Sequence, residues 1–138
     1  MGLLLLLAFK PHGALLVASS GLELAGIILF LFGFFILLVA YFNLKPSLRV
    51  SPIPIPGAPL ITRGIYNYFR HPMYLAVLFV GAGMVLRNLD IAALFAWSAL
   101  FVTLCAKANM EDGLLQKAHS GALEYQNRVT GLPWFKNA

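Results

Sequence analysis

A chain of 138 residues that is 60% hydrophobic and only 11% charged holds far more apolar side chains than one small soluble core could bury. With a mean hydropathy of +0.82 it reads as an all-α integral membrane protein, a single compact bundle with little left for a separate soluble domain. The formal charge of +5 comes without any basic run interleaved with aromatics, which excludes nucleic acid as a partner and points instead to anionic lipid.

Residues 1–19 begin with a leucine run, Leu3 to Leu7, that Lys10, Pro11 and His12 interrupt before Ala14 to Ala18 resumes. The expectation is a kinked or partial membrane segment, a fourth membrane element beside three clear ones. Small residues at Ala18 to Ser20 would suit a cleavage site, but no positive region precedes the run. Residues 21–42 form the clearest span, with Glu23 as their only charge and a helical length of about 33 Å. Gly26 and Gly33 lie two turns apart in it and would let another helix approach closely.

The character changes over residues 43–71, where five of the eight prolines fall and Lys45, Arg49, Arg63 and Arg70 stand without one acidic residue. A basic loop of this kind is expected on the cytoplasmic side. Its Pro52-Ile53-Pro54-Ile55-Pro56-Gly57 run suits extended polyproline-like backbone ending in a turn. Leu60, Ile61, Ile65, Tyr66, Tyr68 and Phe69 are too apolar for a free linker, so this half should pack on the bundle.

Two apolar segments, 72–86 and 91–107, flank Arg87-Asn88-Leu89-Asp90 and predict a transmembrane helical hairpin. Arg87 suits the C-terminus of the first helix, and Asp90 can cap the second. Cys105, the only cysteine, lies inside an apolar run and reads as a packing residue. The tail, 108–138, mixes charge with Leu114, Leu115, Leu123, Tyr125, Val129 and Trp134, and predicts a cytoplasmic C-terminal helix against the bundle. The charge bias gives loop 43–71 and the tail one side of a cytoplasm-facing membrane, such as a bacterial inner membrane.

The stretch with most chemistry is Arg70-His71-Pro72-Met73-Tyr74. Pro72 suits a first helical turn and pushes His71 into an extended conformation just outside it. His71 is thus placed at a helix mouth, between a cation and a phenol. No His, Cys and carboxylate spacing suggests a metal.

Leu60, Thr62, Gly64, Tyr66, Arg70, His71, Pro72 and Tyr74, following a proline-rich run, resemble the pattern of the isoprenylcysteine carboxyl methyltransferase-like membrane proteins, which are related in outline to phospholipid methyltransferases. After the hairpin, Glu111-Asp112, Leu114 or Leu115, and Glu124-Tyr125-Gln126-Asn127-Arg128-Val129 resemble the family's second block. The resemblance implies methyl transfer from S-adenosylmethionine to a lipid-like acceptor, the carboxylate of a prenylcysteine or similar. It places Tyr66, Arg70, His71, Tyr74 and Glu111 in the cofactor pocket, and Lys107, Glu111 and Arg128 in the catalytic set. Lys107 stands where the family commonly has an arginine, and Ala118-His119 or His119-Ser120 replaces a Phe-Gly pair. Those departures sustain a rival reading, a non-catalytic membrane subunit that keeps the fold and packs in a larger complex.

Overall fold

A computed structural model describes residues 20–44, 60 and 62–131. The expected N-terminal segment, most of the proline-rich loop and the end of the tail lie outside the described residues. The elements are α1 (Ser20–Leu44), a 3₁₀ turn (Gly64–Asn67), α2 (Pro72–Asn88), α3 (Ile91–Ala118) and α4 (Ala122–Arg128). Among the described residues the only sheet-like pairing is a parallel bridge between Phe69 and Thr130.

The centre of the bundle is α2, with α1 packed along one side and α3 on the other. Small residues let α1 and α2 meet almost backbone to backbone. A Cβ added to Gly26 would stand 2.8 Å from the Gly83 carbonyl oxygen, and one added to Gly33 would stand 2.7 Å from the Val80 nitrogen. Because Gly26 faces Gly83 and Gly33 faces Ala76 and Val80, the two helices run antiparallel. Without a hydrophobic drive between helices in lipid, such close packing is what holds them together.

The other seam belongs to Trp97. Its indole lies against Gly81 and donates a 2.9 Å hydrogen bond to the Leu78 carbonyl. Leu78, Cys105 and Ala108 are buried there among Tyr74, Leu75, Phe101 and Leu104. The hairpin turn follows its sequence: Leu89 closes α2 in a left-handed conformation with φ 43°, and Asp90 Oδ1 accepts from the Ala92 N–H at 3.0 Å. The outward faces of α1 and α3 stay apolar and open, with Phe35 64% and Phe95 72% exposed, as lipid contact requires.

The predicted helix of residues 91–107 runs on without a break to Ala118, so that its 28 residues reach about 42 Å. A hydrocarbon core of about 30 Å cannot contain that length. Its polar last turns therefore project past the start of α2 and carry the acidic pair with them. At the same end of the bundle, Asn43 at the foot of α1 packs on Gly64, whose φ of +63° opens the 3₁₀ turn. The end of α1, the start of α2 and the far part of α3 thus share one end of the molecule.

Candidate functional site

At that end a polar cluster is built from two distant stretches of chain. Pro72 starts α2 and leaves His71 as its N-cap, with φ −125° and ψ 60°, as the sequence predicts. Tyr74 follows one turn later on the same face, and its ring stacks on the His71 imidazole, centroids 5.3 Å apart and planes 2° from parallel. Facing them, the projecting part of α3 presents Lys107 and Glu111, four residues apart on one face, with Asp112 next to Glu111.

Asp112 is the hub. Arg70 Nη1 donates to its Oδ2 at 2.7 Å, and His71 Nε2 lies 2.9 Å from its Oδ1. An ionised carboxylate can only accept, so His71 carries its proton on Nε2. Glu111 sits beside this pair. Tyr74 Oη donates to Glu111 Oε1 at 2.6 Å, while Glu111 Oε2 stands 3.8 Å from His71 Nδ1, outside hydrogen-bond distance. Lys107 Nζ lies 4.0 Å from Glu111 Oε1 and 5.5 Å above the Tyr74 ring centroid.

Burial grades the cluster from inside to outside. The side chains of Arg70 and Asp112 are 6% and 12% exposed, Glu111 is 21% exposed, and Lys107 at 47% stands at the rim. The Arg70 Nε is buried with no hydrogen-bond partner among the described residues. Gly131 presses on the same guanidinium so closely that a Cβ there would collide with it.

The predicted set is mostly brought together: Arg70, His71, Tyr74, Lys107 and Glu111 share the cluster. Tyr66 is buried in the 3₁₀ turn beneath it, and its carbonyl accepts from Tyr125 Oη at 2.6 Å. Burial, with the neighbouring Tyr125 adding, pushes the Tyr66 phenol up to about 12. Burial likewise raises Tyr125, against the lowering pull of Arg70. Arg128, the remaining predicted residue, is exposed in the last turn of α4 and makes no described hydrogen bond or ion pair to the cluster.

Sequence reasoning assigned a role to Glu111 and left Asp112 as its companion, whereas Asp112 holds both Arg70 and His71. It also gave no role to Gln126, which is 3% exposed and donates to the Asp112 carbonyl at 3.0 Å. The adjacency of the two acids was a signal for the first. For the second, the only signal was its place in the Glu124 to Val129 block, which named no role for it.

Two helices are long and apolar enough to cross a membrane, and a charged cluster is gathered at one end of their bundle. A phospholipid methyltransferase family model matches residues 22–121, and the chain belongs to that family. The match takes in α1 to α3 and every cluster residue on them, and stops before α4. No curated protein and no solved structure matches the chain.

Proposed function

We propose that the protein transfers a methyl group from S-adenosylmethionine to the carboxylate of a lipid-like acceptor such as a prenylcysteine. Family membership supports methyl transfer to a lipid. The observation that carries the finer reading is the joining of the Arg70 to Tyr74 stretch to Lys107, Glu111 and Asp112 at one end of an apolar bundle. The residues fit the cofactor. Arg70 keeps a buried Nε donor unused among the described residues, suited to a carboxylate. Glu111, partly exposed, suits an ammonium, and the parallel faces of His71 and Tyr74 suit a flat or cationic group.

Bound there, S-adenosylmethionine supplies a methyl group activated by its positive sulfur. The protein's part is to align two reactants and to exclude water. Asp112 fixes the His71 ring, Glu111 fixes the Tyr74 hydroxyl, and the apolar faces admit an acceptor from the bilayer. A carboxylate acceptor is already nucleophilic and needs only a cation to place it, which rim-exposed Lys107 offers. Arg128 would add positive charge on approach from the aqueous side. We assign the clustered end, with loop 43–71, to the cytoplasm, because basic residues concentrate there.

The mutual pairing of Arg70, His71 and Asp112 favours one other reading. A membrane subunit without turnover, packed in a larger complex, could keep these charges for structure alone. Titration of the full chain in nanodiscs with S-adenosylmethionine separates the two. Saturable binding by wild type, weakened at least tenfold in His71→Ala and Glu111→Ala, supports the enzyme; folded wild type that binds nothing overturns it. Lys107→Arg should raise turnover on prenylcysteine carboxylates, since a planar fork grips a carboxylate better than a point charge. Unchanged turnover would remove Lys107 from that role.

A further inference from the structure

The two sides of the cluster come from chain segments some forty residues apart, and the covalent chain between them does not set their separation. Two adjacent residues of α4 do span it. Tyr125 Oη donates to the Tyr66 carbonyl at 2.6 Å, in the turn that leads into Arg70, and Gln126 Nε2 donates to the Asp112 carbonyl at 3.0 Å. Both residues are buried, at 7% and 3% exposure. Neither end of the Gln126 amide is idle, because its oxygen accepts from Gln116 Nε2 on α3. Past α4, the Arg70 N–H donates to the Thr130 carbonyl at 3.0 Å, which closes the loop of contacts.

Seven residues are too few to hold a helix by their own hydrogen bonds. α4 therefore exists through these attachments and the burial of Ala122 and Val129. We propose that Tyr125 and Gln126 are positioning residues, which hold the 66–74 side and the 107–112 side at the spacing where Asp112 engages Arg70 and His71 together. They thereby set the spacing of the cluster, on the reading of that cluster as the S-adenosylmethionine site. The Gln126 bond falls on the Asp112 main chain, directly behind the carboxylate it aims. A shift of about 1 Å in such a group can cost on the order of 100-fold in rate.

The test compares Tyr125→Phe, Gln126→Leu, Gln126→Glu and, on the exposed face of α4, Leu123→Ala, each as the full chain in nanodiscs. The readouts are the ¹⁵N resonances of the His71 ring and the Kd for S-adenosylmethionine. Tyr125→Phe and Gln126→Leu should move the His71 resonances from their wild-type positions and raise Kd at least tenfold, while Leu123→Ala moves neither. Gln126→Glu keeps the volume but lacks the donor, so it should return toward wild type as the pH is lowered and its carboxyl regains a proton. Gln126→Leu should show no such recovery. Wild-type His71 resonances in Tyr125→Phe and Gln126→Leu, with helix content retained, would overturn the assignment. Absence of cofactor binding by wild type would remove the proposed function and leave the His71 resonances to decide the positioning role.

Discussion

Arg70 and Asp112 illustrate what one residue can be worth when it is buried beside its opposite. Taking both out of water is costly, and their attraction offsets that cost only while both are present. Asp112→Leu should therefore cost about 3–5 kcal/mol in detergent unfolding, and the double variant Arg70→Met/Asp112→Leu should recover most of it. Equal losses in single and double variants would show that the pair does not act as a unit. Tyr66 adds a pH dependence. Its phenol, ordinarily at 10.0, is held at about 12 in the folded protein, so the fold favours the protonated form. That contribution is complete below pH 10 and is lost as pH rises from 10 through 12. Tyr66→Phe, which keeps the carbonyl that Tyr125 uses, should flatten alkaline unfolding in this window; an unchanged profile would clear Tyr66. Which residues meet in the polar cluster was largely legible here, since His71 before Pro72 and Tyr74 one turn on announce themselves. The role of Gln126 was not, because a glutamine within the Glu124 to Val129 block shows no task until its partner carbonyl is known.

Among the elements, the α1 and α2 pair was the most predictable in kind and the least in detail. Gly26 and Gly33 pointed to a close approach, but their partners Ala76, Val80 and Gly83 emerge only from the antiparallel register. Gly33→Val should force backbones apart that now leave no room for a Cβ, at about 1–3 kcal/mol or more, read as loss of thermal stability in detergent. A variant as stable as wild type would mean that the helices can slide to accept it. For α3, apolar residues announced a span of 91–107, but a helix does not stop where hydrophobicity does. Asn109 to Gln116 include neither proline nor a capping arrangement, so the helix continues into water to Ala118. That continuation is what carries Glu111 and Asp112 to the mouth of α2.

For the whole molecule, one end collects the 3₁₀ turn, the start of α2, the far part of α3, and α4. A reporter fused after Ala138 should lie on the cytoplasmic side, together with a label placed at exposed Arg63; an external reporter would reverse the assigned orientation. The sequence by itself determined the apolar helical character of the chain, where α1, α2 and α3 begin to within a residue, and the stretch, Arg70 to Tyr74, that forms one side of the cluster. Those are local properties, set by hydropathy, by proline and by capping. Only the tertiary structure decided that Asp112 is the hub, that Arg128 stands apart, and that α4 spans the two sides of the site. Those depend on distances between residues some fourteen to sixty positions apart, which packing determines and no local pattern encodes.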